Sequence, residues 1–223
     1  MTKHVAVTGA AGVLGKAVVE ALANEGWTVA AIDLAPLSGG AATLNLGGVD
    51  LTHEAAMRDA CAAVEAAFGS LEGLVNVAGG FRWEPVGGGD LATWDKLYAM
   101  NLRTALIASS AALPLLQKAG GAIVNIGAAA SQKAAMGMGA YAASKAGVSR
   151  LTEALADEMK DKGVRVNAVL PSIIDTPANR ADMPDADFDR WVTPAALANV
   201  IAFLLSDAAA AVTGALVPVT GRV

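Results

Sequence analysis

One cysteine, Cys61, stands in the 223-residue sequence, so no disulfide can form within the chain. It lies in an alanine-rich helical pattern, where a thiol reads as a small packing residue rather than a nucleophile. Basic residues are also scarce: 16 Lys and Arg against 21 Asp and Glu give a formal net charge of −5 and leave no basic face for a phosphate backbone or anionic lipid. Neither nucleic acid nor a membrane surface is an expected partner. The two histidines, His4 and His53, belong to no cluster of Cys, His or carboxylate at ligand spacing, so no metal site is expected. Apolar residues make up 54% of the chain, a share raised by short alanine runs at 128–130 and 208–211. No stretch approaches the roughly 18 uninterrupted apolar positions that would suggest a membrane-crossing helix. The opening MTKHVAVTG enters an alternating apolar strand at once and lacks the apolar core and cleavage site of a signal peptide, which sets a cytoplasmic address as the expectation.

What the chain does contain is alternation. Runs 4–8, 28–33, 43–49, 73–77, 121–126, 164–170 and 215–219 read as β-strands bounded by Gly or Asp, and helical patterns separate nearly all of them. Crossovers of that length join parallel neighbours, so the pattern predicts a doubly wound, Rossmann-type seven-stranded parallel sheet with helices on both faces. The length suits a single α/β domain over 1–223. The stretch 171–194 has no clear periodicity and carries Phe188 and Trp191 among prolines and aspartates. A loop of that length in a compact domain is usually functional, and here it is the predicted substrate loop.

The first strand breaks into Thr8-Gly9-Ala10-Ala11-Gly12-Val13-Leu14-Gly15 and then into a helical pattern. Glycines at such a turn let a pyrophosphate approach the backbone N–H groups of the helix start. The second strand ends at Asp33, placed as an acceptor for the adenosine ribose hydroxyls; read without a ligand, it is a strand-end turn carboxylate. Leu34 and Ala35 follow it, and no Arg or Lys precedes Lys16 in the glycine turn, so a 2′-phosphate would meet a carboxylate with no compensating cation. The expected cofactor is NAD(H) in preference to NADP(H).

These residues, together with those that follow, resemble the classical short-chain dehydrogenases/reductases across essentially the whole chain. Tyr141-Ala142-Ala143-Ser144-Lys145 is similar to the family's Tyr-x-x-x-Lys, and Asn76-Val77-Ala78-Gly79 to its Asn-Asn-Ala-Gly. Asp50-Leu51 resembles its adenine-contacting pair, and Asn101 its active-site Asn. The run through Leu170-Pro171, Ile174 and Thr176-Pro177 resembles the segment that closes over the nicotinamide. The resemblance implies that Gly9, Gly12, Val13, Leu14, Gly15, Asp33, Asp50, Leu51, Asn76, Ala78, Gly79, Pro171, Ile174 and Thr176 surround the cofactor, with Tyr141, Lys145 and Asn101 catalytic. It implies that Lys145 also holds the nicotinamide ribose, that Asn101 supports a water chain, and that the chain forms a homodimer or homotetramer. Spaced i, i+4 on one helix face, the Lys145 ammonium is expected to lower the Tyr141 phenol from its usual value near 10 toward the working range. The phenol would then exchange a proton with substrate while the nicotinamide carries the hydride.

Two departures from the family pattern stand out. The middle glycine comes one position early, at Gly12, with Val13 in the family's glycine place, a spacing that resembles the extended branch of the superfamily. The catalytic serine is replaced by Ala128, with Ser131 the nearest hydroxyl. Gly127-Ala128 and the loop from Asp175 to Trp191 resemble quinonoid dihydropteridine reductase, which shares the missing serine. Phe81, Trp83, Met138, Met183, Phe188 and Trp191 are candidates for the walls of the substrate pocket. Arg82 and Arg180 are candidates for gripping an anionic or planar polar substrate. The expected activity is NAD(H)-dependent hydride transfer to or from a small carbonyl, hydroxyl or quinonoid substrate. The alternatives are an NAD-binding regulatory protein without turnover, which the missing serine makes conceivable, and a nonredox NAD-dependent epimerase or dehydratase, which the glycine spacing suggests.

Overall fold

A computed structural model describes residues 3–223. Seven strands form one parallel sheet: β1 (His4–Thr8), β2 (Thr28–Ile32), β3 (Leu44–Leu46), β4 (Gly73–Asn76), β5 (Ala122–Ile126), β6 (Arg165–Pro171) and β7 (Leu216–Val219), in the order β3-β2-β1-β4-β5-β6-β7. The predicted doubly wound seven-stranded sheet is therefore the observed one. β3 is shorter than its predicted 43–49 because Gly47 and Gly48 turn the chain away, with Gly48 at φ +78°.

The strands are mostly apolar on both sides because both faces of the sheet are covered, with Asn76, Asn125 and Asn167 as buried polar exceptions. Alternate residues feed two cores. Val5, Val7, Val29, Val75, Val124 and Val169 face α1 (Val13–Asn24) and α7 (Pro194–Leu205). On the other face, Ala6, Ala30, Leu74, Ile123 and Val166 meet α2 (Glu54–Phe68), α4 (Thr104–Ala119) and α5 (Gly139–Met159). A short α3 (Leu91–Leu97) runs into a π-helical turn, Tyr98–Arg103, and on into α4. The combined run Leu91–Ala119 is apolar enough to be mistaken for a membrane span, but half of its most apolar stretch is buried inside the fold, as befits a core helix.

Successive strands run outward from β1 through β2 to β3, whereas β4 starts again on β1's other side. This reversal opens a crevice at the carboxyl ends of β1 and β4, where open α/β sheets bind their ligands. The 171–194 stretch lies at the same edge and is less irregular than its sequence suggests. Thr176 caps a short helix, α6 (Pro177–Asp182), and Ile174 bridges to Val192, closing the stretch on itself.

Candidate active site

The glycine turn between β1 and α1 is shaped by contacts that tolerate no side chain. Gly9 has φ +64°, and a Cβ there would lie 2.6 Å from the Ala78 nitrogen; one on Gly15 would lie 2.1 Å from the Gly9 carbonyl oxygen. Gly12 differs: its φ is −71° and its nearest neighbour would be an acceptable 3.4 Å away. Packing does not require glycine at 12, but its bareness keeps the amino terminus of α1 open. No acidic residue stands in that helix's first turn, so its unpaired N–H groups suit an anion. Val13 is 47% exposed, so its side chain stands at the rim of this opening, while Leu14 packs inward.

Asp33 combines both readings of its sequence position. One carboxylate oxygen accepts from the Ala11 N–H in the glycine turn at 2.9 Å, the other from the Ala35 N–H at 2.8 Å. Each oxygen keeps lone-pair capacity, so the same carboxylate that braces the turn can still accept a ribose hydroxyl. Leu34 beside it is exposed, and no basic side chain pairs with Asp33 among the described residues. Asp50 accepts from the Thr52 hydroxyl at 2.7 Å and its N–H at 2.9 Å, bonds that hold its carboxyl below the usual range. Leu51 next to it is buried.

Asn76 points the other way. Its Nδ2 donates to Ser109 Oγ at 2.9 Å and to Asn125 Oδ1 at 2.8 Å within the core, and Asn125 passes the chain on to Thr152 Oγ1 at 2.9 Å. Through Nδ2 the side chain joins β4, β5, α4 and α5, while its Oδ1 is buried with no hydrogen-bond partner among the described residues. Ala78 and Gly79 follow at the mouth. A Cβ on Gly79 would sit 2.6 Å from Asn101 Oδ1 and 3.3 Å from Lys145 Nζ, which brings these three together.

Asn101, 1% exposed in the π-helical turn, clamps the backbone of Gly80: Oδ1 accepts from its N–H at 2.9 Å and Nδ2 donates to its carbonyl at 3.1 Å. Nδ2 also donates to Ser144 Oγ at 3.0 Å, and Ser144 donates in turn to the Tyr141 carbonyl at 2.7 Å. The fully buried Lys145 donates to the Ile126 carbonyl at the end of β5, 2.7 Å away. Burial lowers its ammonium to about 8. Tyr141 moves opposite to expectation: burial raises its phenol to about 12. The predicted lowering by Lys145 is therefore not made by the chain's own groups, since the lysine is engaged elsewhere and desolvation dominates.

On the substrate side, Phe81 stands edge-on to the Tyr141 ring, with centroids 5.0 Å apart at 89°. Phe81 and Trp83 are each about half exposed. Ala128 is buried at the start of the turn Ala129–Ser131. The Ser131 N–H donates to the Ala128 carbonyl at 3.0 Å, but its hydroxyl is covered and has no hydrogen-bond partner among the described residues. Met183 and Phe188 are partly buried on the substrate loop. Trp191 is 6% exposed, packed at 4.8 Å against the Phe188 ring, so it serves as packing for the loop and offers little surface as a pocket wall. Arg180 is spent on a forked pair with Asp175, at 2.5 and 2.8 Å, and on the face of Phe188. Arg82 pairs with Glu84. Pro171 ends β6, the Ile174 carbonyl accepts from Asn179 Nδ2 at 2.7 Å, and Thr176 Oγ1 accepts from the Asn179 N–H at 3.2 Å. A cavity of about 800 Å³ opens at the opposite, amino-terminal edge among Lys3, Trp27, Glu72 and Arg165, away from all this chemistry.

The family model described as short chain dehydrogenase matches residues 3–187. The chain is 36% identical over 241 residues to 2-(S)-hydroxypropyl-CoM dehydrogenase 3 of Xanthobacter autotrophicus, covering 97% of this chain and 94% of that one. It is likewise 36% identical over 234 residues to D-threitol dehydrogenase of Mycolicibacterium smegmatis, covering 96% and 90%. Its structure matches that of 3-ketoacyl-(acyl-carrier-protein) reductase from Brucella melitensis complexed with NADH, with a TM-score of 0.89 and 25% identity over 99% of this chain and 98% of that one. The chain belongs to the short-chain dehydrogenase/reductase family of oxidoreductases.

Sequence reasoning passed over three groups that the fold brings into the site. The Gly80 backbone and the Ile126 carbonyl carry no side-chain signal. Ser144 did carry one, as a polar residue on the buried face of α5.

Proposed function

We propose that this protein is an NAD(H)-dependent oxidoreductase of small substrates, with Tyr141 as the proton donor and acceptor. The observation that carries the reading is the convergence of buried Lys145 and buried Asn101 on Gly79 and Gly80, with Tyr141 one turn before Lys145 on α5 and edge-on to Phe81, beside the crevice that the glycine turn opens at the carboxyl ends of β1 and β4. The open start of α1 would hold a pyrophosphate, Asp33 the adenosine ribose, and Asp50 and Leu51 the adenine edge. A nicotinamide dinucleotide held there would supply or accept the hydride. Asp33, with no cation near it, favours NAD(H) over NADP(H).

A phenol raised to about 12 is fully protonated at neutral pH, so Tyr141 is poised to donate to an oxygen or nitrogen gaining negative charge. Donation in this sense is the step that reduction of a substrate by NADH would require. Asn101 and Ser144 fix the start of α5 and the Gly80 turn against each other, so the phenol and the crevice keep one geometry. With Ala128 in the serine's place, the site lacks a hydroxyl donor next to the phenol, which favours a substrate such as a quinonoid ring that spreads incoming charge by itself. A second reading, oxidation of a hydroxyl substrate, draws support from the relatives named as dehydrogenases.

The test is NADH consumption by the purified protein against a quinonoid dihydropterin, a simple ketone and, with NAD, a secondary alcohol, for the wild type and Tyr141→Phe. Turnover lost in the variant supports the reading. NADH binding by fluorescence with no turnover on any of the three would favour a regulatory protein that has kept the fold.

A further inference from the structure

We propose that Glu84 is a positioning residue that clamps the 80–90 segment and thereby holds Phe81 as a fixed aromatic roof over Tyr141, setting the size of substrate the site admits. The proposal rests on the reading of Tyr141 as the proton donor and deepens it. Glu84 sits on a loop, yet its side chain is only 17% exposed. Its Oε1 accepts from the Asp90 N–H at 2.6 Å, and its Oε2 accepts from the hydroxyl of buried Thr93 on α3 at 2.8 Å and from Arg82 Nε at 3.3 Å. These bonds hold its carboxyl below the usual carboxylate range, the Asp90 N–H contributing most. The backbone of Glu84 reaches in the other direction, its N–H donating to the Gly137 carbonyl at 2.8 Å.

Trp83 reinforces that second attachment. Its Nε1 donates to the Met136 carbonyl at 2.9 Å, and its indole lies so close to Gly137 that a Cβ there would be 2.1 Å from the ring. One residue pair thus ties the loop to α3 on one side and to the segment leading into α5 on the other. Upstream, Asn101 grips both backbone groups of Gly80. Phe81 is caught between the two anchors, which explains how a ring 52% exposed to solvent is held edge-on to Tyr141. The half that faces outward is the surface a substrate would meet. A carboxylate is needed because three donors converge on its two oxygens. In Glu84→Gln, one of those oxygens becomes an NH₂ facing a donor.

The experiment follows the Tyr141 phenol directly, by ¹³C NMR of ring-labelled tyrosine in a Tyr98→Phe background, where Tyr141 is the only tyrosine left. Phe81→Ala removes the roof, so the phenol should fall from about 12 toward its ordinary value near 10. Glu84→Gln should produce part of the same fall, and the double variant no more than Phe81→Ala alone. Trp83→Phe, which removes the bond to Met136 and part of the indole packing on Gly137, should produce a smaller shift of the same sign and keeps the test open if Glu84→Gln folds poorly. With NADH and a quinonoid dihydropterin, Glu84→Gln should raise KM about tenfold with a smaller change in kcat, and should change neither further in the Phe81→Ala background. A phenol that titrates as in wild type in Glu84→Gln and Trp83→Phe overturns the clamp, as does a Glu84→Gln effect that persists undiminished without Phe81. The titration requires no turnover, so it decides the clamp independently of whether Tyr141→Phe supports the assignment of the proton donor.

Discussion

The ammonium of Lys145 donates to the carbonyl of Ile126 at 2.7 Å, across the gap between α5 and the end of β5, and not to the phenol of Tyr141 one turn back on its own helix. The two halves of the Tyr-x-x-x-Lys motif are thus held by different parts of the fold. The lysine is fixed to the sheet, and the tyrosine is covered by Phe81.

Lys145 should make stability depend on pH in a recognisable way. Its ordinary value is 10.5 and burial lowers it to about 8, so the folded state binds the proton less tightly than the unfolded chain. Burial of the charged form costs most below about pH 8, so Lys145 by itself should raise stability by about 2 kcal/mol between roughly pH 8 and 10, where the unfolded chain still holds its proton, and the buried Cys61 thiol, pushed up to about 11, opposes that rise above about pH 9. Above about pH 10 the raised phenol of Tyr141 opposes further gain. Lys145→Met should remove the rise while weakening NADH binding and turnover. Thermal melts of both proteins across this range check the slope; a parallel pair of curves would place the charge elsewhere.

Cofactor choice is the second expectation. NADH should bind at least about tenfold more tightly than NADPH, a difference of roughly 1.4 kcal/mol. Asp33→Ala should narrow the gap and also weaken NADH binding, because the carboxylate braces the glycine turn through the Ala11 N–H. Fluorescence titrations with both dinucleotides measure it, and equal affinities in the wild type would remove the ribose role of Asp33.

For Tyr141→Phe, the ring and its packing on Phe81 survive while the hydroxyl is lost. Turnover should fall about a hundredfold or more with NADH affinity almost intact. Near-wild-type activity would mean that another group supplies the proton.

The strands were legible in the sequence because a parallel sheet covered on both faces needs unbroken runs such as HVAVT and TVAAI, and Gly or Asp marks where they stop. Tyr141, Lys145 and Asn101 were legible as a motif. Their relation was not. The acceptor of Lys145 is a backbone oxygen 19 residues away, and the partner of Asn101 is a backbone 21 residues away, neither of which leaves a trace in residue type. The spacing that puts Lys145 one turn from Tyr141 suggested an activated phenol, and burial of the phenol reversed it. Asn76 looked like a crevice residue by motif, and its Nδ2 is taken up by a buried network with Ser109 and Asn125, while its Oδ1 stays without a partner among the described residues. Trp191 illustrates the same limit: an aromatic in a polar loop suggested a pocket wall, and it packs against Phe188 instead.

The last expectation ties Ala128 to the kind of substrate reduced. A ketone builds alkoxide charge as hydride arrives, and a missing donor at that oxygen typically costs on the order of 3–4 kcal/mol in barrier height. Ser131 is the nearest hydroxyl in sequence, but its Oγ is covered by protein and unpartnered, so it is not presented to a substrate oxygen. Simple aliphatic ketones should therefore be reduced slowly, and a quinonoid dihydropterin, whose ring takes up the charge by conjugation, faster. Ala128→Ser restores the hydroxyl of the family pattern and should raise ketone reduction while leaving the quinonoid reaction almost unchanged. Ser131→Ala should leave both rates near wild type and cost no stability, because it removes a buried hydroxyl that makes no hydrogen bond. Steady-state rates on both substrates for the three proteins, with melting temperatures for each, test the argument. A wild type that prefers ketones and loses that activity in Ser131→Ala would show that the donor has moved three residues along the turn, with Ser131 swinging out to meet the substrate.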